Sequence, residues 1–444
     1  MVFDRRETTI LLTGDFLVLV VSLWTALFLR NLTLPSLSYF KENVVPFLPM
    51  FFLSLVVFYI AGLYEKQTRP IQRVMGVRIL GAQAATVAIV AILFFVLPLS
   101  IAPKTILVLY LIVSVVAESS WRFMRMRREV AEDKRMPTLL VGSSPAALEL
   151  QDEVNGSNQY LIRFVDRVKT KGLSSNAILH TIKTGIKEEA RFVVIDTSDP
   201  AFGHDIYTFY DLISDATFLD LISLYEEIFD RVPLDHMSST QLFDFLPKRR
   251  ALYDLSRRIF DIAFAAIGTI IAAPFIIISA LVLFATGGTP FIYQERVGKG
   301  GRSIRLIKLR TMLFFDAGDP EKQKRNHVTK VGHFLRKTRI DELPQLWNIL
   351  TGDLSFIGPR PELPKIAEVY EREIPQYRMR YLITPGLSGW AQIHDSNVPR
   401  GQADVVRTRR KLSFDLYYLK HRSFGLDLAI TLKTFRALAS LSGT

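Results

Sequence analysis

Apolar residues gather in long unbroken runs over the first quarter of the chain and later alternate with polar residues on shorter periods. Four early runs stand out: Thr9–Leu29, Val45–Leu63, Ile79–Pro98 and Thr105–Val116. The first three approach the roughly 20 residues a helix needs to span hydrocarbon, and the fourth does so if it extends through Ser119–Trp121. The pattern predicts a four-helix transmembrane bundle over residues 1–121. Asp15 falls inside the first run, where an ionisable group is costly unless it faces other helices or sits near the interface. The opening stretch lacks a small-residue cleavage site and is followed by further apolar runs, so a retained anchor is expected.

From residue 122 to 247 the texture changes. "TLLVGSS" and "RFVVIDTSD" read as short buried strands, separated by helical patterns such as "AALELQDEVN" and "AILHTIKTGIKEEA". Strands alternating with helices predict a small, Rossmann-like α/β domain with a parallel sheet. Gly142 follows the first strand but no G-x-G-x-x-G does, so a working dinucleotide site is not expected. The basic stretch "FDFLPKRRALYDLSRR" then leads into a last domain, residues 248–444.

That domain opens on a fifth run, Ile262–Thr286, which has no charged residue and is long enough to cross a bilayer. Lys248, Arg249, Arg250, Arg257 and Arg258 precede it, and Arg296, Lys299, Arg302, Arg305, Lys308 and Arg310 follow it. Basic residues favour the cytoplasmic side, so both flanks want the same face. Pro274, near the middle, removes a helix hydrogen bond and crowds the preceding turn. The expectation is a re-entrant helix, residues 259–286, that enters, breaks at Pro274 and leaves on the side it came from. A kinked full crossing is the alternative, and it would export the C-terminal section.

Composition sharpens this picture. The 444 residues are 49% apolar yet carry a formal net charge of +12, which suits a membrane protein facing anionic head groups or anionic substrates. No nucleic-acid module is evident, so nucleic acid is not an expected partner. There is no cysteine, which excludes disulfides, thiolate metal sites and cysteine nucleophiles. Arg5 and Arg6, then Lys66, Arg69, Arg73 and Arg78, then Arg122, Arg125, Arg127, Arg128, Lys134 and Arg135, put the N-terminus, the middle loop and everything after Arg122 in the cytoplasm.

The candidate chemistry lies after Thr286. A tight turn at Gly298, Gly300 and Gly301 leads into a strand, "SIRLIKLRTM", whose Arg305, Lys308 and Arg310 could hold phosphate oxygens, lipid head groups or only water. Asp341 and Glu342 stand side by side in "TRIDELPQLWNIL", ahead of Leu343, Leu346, Trp347 and Leu350, whose spacing is that of a packed helix face. Asp341 suits an N-cap and Pro344 a first turn, so the bland reading is a helix start. Neighbouring helical residues project about 100° apart, so one carboxylate could enter a pocket while the other supports it. Lys308, Arg336, Arg339 and Arg360 would offset the repulsion between a carboxylate and a bound phosphate, as would magnesium. The residues themselves leave capping and chemistry both open.

Taken together, "QERVGKGG…KLRTM", "DELPQLWNILTGDLSFIGPRPE", "PGLSGWAQI" and "FDLYYLKHRSFGLDLAITLKT" resemble the bacterial sugar transferase family, in order, from about Lys248 to Thr434. These are polyprenyl-phosphate sugar-1-phosphate transferases that start exopolysaccharide, capsule or O-antigen units. The N-terminal half resembles the larger members in architecture. The resemblance implies an α+β catalytic domain with a re-entrant helix on the cytoplasmic side of the bacterial inner membrane. It implies a UDP-sugar donor, an undecaprenyl phosphate acceptor and release of UMP, with glucose or galactose as a first guess for the sugar. The family's acidic pair falls on Asp341, the expected nucleophile, and Glu342, an expected base or metal ligand, with Mg2+ held between them. Its basic positions fall on Lys308, Arg336 and Arg360, with Arg310 and Arg339 beside them, and its helix break falls on Pro274. Two departures stand out: Ala273 where a serine often precedes that proline, and "HDSNVPRGQADVVRTRRK", which leaves sugar identity open. A homo-oligomer is compatible with this reading. The rival functions are a non-catalytic scaffold for polysaccharide assembly and a nucleotide-sugar dehydratase or epimerase, which would need NAD.

Overall fold

The computed structural model describes most of residues 5–439, leaving aside 65–80, 90–103, 132–134, 200–215, 235–249, 314–326, 396–403 and some scattered single or paired positions. Within it the chain forms two compact units, Met1–Glu227 and Ile228–Thr444.

The first unit opens with three long helices, α1 (Arg5–Asn31), α2 (Leu37–Ile60) and α3 (Lys104–Ala131). They take up three of the four early apolar runs; Ile79–Pro98 lies for the most part outside the described residues. Leu19, Leu23, Leu27, Phe47, Phe51, Ile106 and Tyr110 form their common core. Leu17, Val21, Phe52, Val108, Ile112 and Val116 point outward and are exposed, as lipid-facing residues would be. Asp15 is fully buried. It accepts hydrogen bonds from Tyr64 Oη at 2.6 Å, from Trp121 Nε1 at 3.2 Å and from Arg122 Nε at 3.0 Å. Arg122 also closes an ion pair on it and donates to Leu63 O at 3.1 Å. The cost of a carboxylate inside an apolar bundle is met by a partner 107 residues away.

The same unit contains a four-stranded parallel sheet of β1 (Met136–Val141), β2 (Ile162–Val168), β3 (Phe192–Ile195) and β4 (Thr217–Asp220), in the order β2-β1-β3-β4. Leu139, Val141, Val193 and Ile195 pack on Ile178 and Ile182 of α5 (Ser175–Glu188), while α4 (Pro145–Gly156) follows β1 directly and α6 (Leu221–Phe229) follows β4. At the β1 exit Gly142 has a φ of 155°, and a Cβ there would meet the Asp196 Cβ at 2.7 Å, so only glycine fits. The start of α4, where such folds receive a phosphate, is taken by the protein's own side chains. Ser144 Oγ caps Ala147 N at 3.2 Å, and the Asp199 carboxylate accepts from Ser143 N at 3.3 Å and from the Thr170 hydroxyl.

The second unit begins earlier than the expected boundary at residue 247. Val232 N donates to Ser413 O at 3.2 Å, Trp390 Nε1 donates to Asp230 O at 2.8 Å, and Val232 and Leu234 join the core around Tyr377, Trp390, Leu416 and Tyr418. Helix α7 (Ala251–Ala285) follows, then the antiparallel pair β5 (Phe291–Val297) and β6 (Ser303–Leu309), in which Ile292 faces Lys308. Helix α8 (Lys330–Thr338), a 3-10 helix (Ile340–Gln345) and helix α9 (Leu346–Thr351) come next. The short parallel strands β7 (Ser355–Ile357) and β8 (Gly386–Ser388) pair, and four further α-helices and a 3-10 helix lie between Pro364 and Ala439.

Helix α7 continues through Pro274, with helical residues on both sides of it. One face is packed along its length. Ala265 and Ala272 contact Leu306, Leu346 and Ile349, and Leu283 contacts Leu309 and Leu335. Arg258 donates to the carbonyls of Ile349 (2.6 Å) and Leu350 (2.7 Å), which close α9. The opposite face, with Phe264, Ile267, Ile270, Ile271, Phe275, Ile278 and Leu281, is exposed. Among the described residues, four helices are long and apolar enough to cross a membrane: Thr9–Asn31, Leu37–Ile60, Thr105–Met124 and Ala251–Ala285. The chain is a multi-pass membrane protein.

Candidate active site

The acidic pair sits where α8 gives way to the 3-10 helix. Thr329 caps the start of α8 by accepting from Gly332 N at 2.9 Å, and Arg339 ends it in the left-handed region at φ 59°, ψ 14°. That conformation costs a residue with a Cβ about 1–2 kcal/mol. The turn it makes starts the 3-10 helix beside strand β6, and Glu342 N donates back to Arg339 O at 3.2 Å.

Strand β6 is fixed to the same segment by Asn348. Its Oδ1 accepts from Ile307 N at 3.1 Å and its Nδ2 donates to Arg305 O at 2.8 Å, so the side chain takes the place of a neighbouring strand. Lys308 is thereby delivered to Glu342, with Nζ 3.1 Å from Oε1. Arg360, from the turn after β7, lies 3.4 Å from the same oxygen, and Arg339 reaches Oε2 at 3.6 Å. Three cations surround one carboxylate.

Electrostatics separates the two acids. Burial pushes Glu342 up, but Lys308, Arg360 and Arg339 outweigh it and bring its carboxyl down to about 2. Burial, and then the charge of Glu342, push Asp341 up to about 6 against the pull of Lys308, Arg336 and Arg339. Asp341 is buried and its Oδ1 has no hydrogen-bond partner. It caps no helix through that atom. The arrangement presents a basic, unengaged carboxylate oxygen at the edge of a fixed cluster of positive charge, which is what attack on a phosphoryl group requires.

The remaining expected residues divide. Arg336 donates from Nε to Thr311 Oγ1 at 2.8 Å and faces Asp341 closely enough to lower its pKa. Arg310 acts elsewhere. Its guanidinium donates to the carbonyls of Leu283 (3.2 Å), Gly287 (2.6 Å) and Leu313 (3.4 Å), where it caps the end of α7. Trp347, expected in the packed helix face, is 59% exposed, while Leu346 beside it is buried. Sequence reasoning missed Arg380, which is buried in an ion pair with Asp415 at 3.0 Å and donates to Arg360 O at 2.9 Å. It also missed Asn348, whose one visible signal is an amide inside the apolar run "LWNIL".

A magnesium ion would find no all-protein cage here, since no cluster of three or more carboxylate or imidazole ligands exists among the described residues. The unpartnered Asp341 oxygen beside Glu342 does fit the way magnesium is usually held, by one or two carboxylates completed with substrate phosphates and water.

The sequence profile of the bacterial sugar transferase family matches residues 252–440, the part of the chain that builds this site. The chain is 37% identical over 213 residues to the UDP-glucose:undecaprenyl-phosphate glucose-1-phosphate transferase of Caulobacter vibrioides, covering 46% of this chain and 79% of that protein. The chain belongs to the bacterial sugar transferase family. It is also 39% identical over 223 residues to the UDP-N-acetylgalactosamine-undecaprenyl-phosphate N-acetylgalactosaminephosphotransferase of Aeromonas hydrophila, covering 48% of this chain and 50% of that one. A wider likeness, 26% over 328 residues, links 70% of this chain to 59% of the undecaprenyl-phosphate glucose phosphotransferase of Komagataeibacter xylinus. The chain thus spans about half the length of the Aeromonas relative and 79% of the Caulobacter one.

Proposed function

We propose that this transferase moves sugar-1-phosphate from a UDP-sugar to undecaprenyl phosphate, releasing UMP, as the initiating step of a bacterial surface polysaccharide. The observation that carries the reading is the split of the acidic pair: Glu342 held ionised by three cations, Asp341 buried, basic and with its Oδ1 unpartnered. In the first step an Asp341 oxygen attacks the phosphorus that bears the sugar. The P–O bond to UMP breaks, and UMP leaves with the electron pair. In the second step an oxygen of undecaprenyl phosphate attacks the same phosphorus, and Asp341 departs as a free carboxylate. Both attacking groups are anions, so no proton needs to move. Lys308, Arg336, Arg339 and Arg360 supply the charge that lets two anions meet, with Glu342 holding three of them in place. Bound magnesium, held by Asp341 and Glu342 with diphosphate oxygens, would neutralise further charge on the transferring group.

The acceptor's phosphate lies at the membrane surface, and helix α7 supports a site at that height. Its packed face runs from Arg258 to Leu283 against elements that carry Lys308, Arg336 and the acidic pair. A perpendicular crossing would carry those charges into hydrocarbon, at a cost of several kcal/mol. A helix that dips into the cytoplasmic leaflet of the inner membrane and returns, flexed at Pro274 without a break in its helical run, leaves only the apolar outer face in lipid. The parallel sheet of the first unit is read as a Rossmann-like domain that no longer takes a nucleotide.

The test is UMP release by the purified protein from UDP-glucose, UDP-galactose and their N-acetylamino counterparts, with and without undecaprenyl phosphate. Turnover with one donor that depends on the lipid phosphate, a release of no more than about one UMP per protein without it, and no release by Asp341→Asn are expected. Continuous acceptor-independent turnover, or a fully active Asp341→Asn, would refute the mechanism.

A further inference from the structure

We propose that Gln345 is a catalytic residue, whose side-chain amide donates a hydrogen bond from Nε2 to a non-bridging oxygen of the phosphoryl group during its transfer. The inference rests on the transfer reading given above and adds a residue to it. Gln345 closes the 3-10 helix that carries Asp341, and it is only 4% exposed. Its Nε2 has no hydrogen-bond partner, and neither does Asp341 Oδ1. A buried donor left unmade is costly, and native proteins keep few of them without a reason. Here a donor and an anionic oxygen are orphaned on the same short segment and do not satisfy each other.

A cation alone would satisfy the carboxylate and leave the amide hydrogens without an acceptor. A phosphoryl group suits both, because it offers an electrophilic phosphorus to Asp341 and an acceptor oxygen to Gln345. As the Asp341–phosphorus bond forms and the bond to UMP breaks, charge builds on the non-bridging oxygens, and the amide stabilises it while keeping its own proton. The surrounding cations attract the whole diphosphate, whereas a neutral amide tells mainly on the transition state, so its loss should fall on kcat.

The experiment compares full-length wild type, Gln345→Met, Gln345→Glu and Asp341→Asn in UMP release and in thermal unfolding. Methionine matches the volume and removes the donor; glutamate keeps the shape and also removes it. We expect both Gln345 variants to fold, with Gln345→Met at least as thermostable as wild type. We expect kcat to fall about 100- to 1000-fold, the usual loss for one oxyanion donor, with KM changed less than about threefold. Full kcat in either folded variant would overturn the proposal and leave a buried water as the partner of Nε2. A lower unfolding temperature with unchanged kcat would likewise assign Gln345 to structure alone. If instead wild type releases no UMP, or Asp341→Asn stays active, the transfer reading falls first and this proposal with it.

Discussion

Replacing Asp341 by asparagine should make the protein inactive and, above neutral pH, more stable. Its carboxyl is raised from 3.8 to about 6 in the folded protein. Between those values the folded state holds a proton that the unfolded chain has lost, so stability falls as pH rises through the window. Two units correspond to about 3 kcal/mol once Asp341 is ionised, by the conversion of about 1.36 kcal/mol per unit. The amide brings donors of its own to a buried place, so the expected gain is on the order of 2 kcal/mol. For a unit of this size that is a rise of about 4–8 °C in Tm. The assay is unfolding followed by tryptophan fluorescence, from pH 4 to pH 8, in chelator and then with magnesium. The two proteins should unfold together near pH 4 and separate progressively to pH 7. Magnesium should narrow the gap by favouring the ionised carboxylate. A gap independent of pH, or a variant less stable throughout, would refute the claim that burial and Glu342 disfavour the charge on Asp341.

Two further substitutions should behave differently. Glu342→Gln removes a carboxylate lowered to about 2, whose contribution is present above about pH 4.5 and lost as pH falls toward 2; the variant should be less stable by about 2–3 kcal/mol at pH 7. Its rate should fall, and the acid limb of its pH–rate profile should move below the wild-type limb near pH 6, because the charge that raises Asp341 is gone. Arg380→Met leaves Asp415 buried without its partner and should cost about 3–5 kcal/mol in thermal unfolding. Pairing it with Asp415→Leu should recover most of that stability but not the rate, because Arg360 O still lacks its donor.

The acidic pair and its cations were legible in the sequence because adjacency and a short motif place them. Other residues were not, for identifiable reasons. Arg310 shares the alternation of Lys308, but β6 ends at Leu309, and past the strand end a side chain need not keep to its face. Trp347 has helical spacing with Leu343 and Leu350, yet α9 is six residues long and follows a 3-10 turn, so the 3.6-residue period has no length over which to hold. Arg380 and Asn348 act on backbone carbonyls and amides that no side-chain pattern advertises. Proline was expected to break the helix at position 274. The helix persists there because a single lost hydrogen bond is tolerable where the packed face is held by Arg258 near one end and Arg310 at the other.

The strand-like grip of Asn348 on residues 305 and 307 has a consequence for how such an enzyme can diversify. It makes the segment that follows Asp341 and the lysine-bearing strand one rigid part, so neither can drift without the other. On the proposed mechanism that rigid part handles the phosphate, so relatives named for glucose and for N-acetylgalactosamine can differ in their sugar without disturbing it.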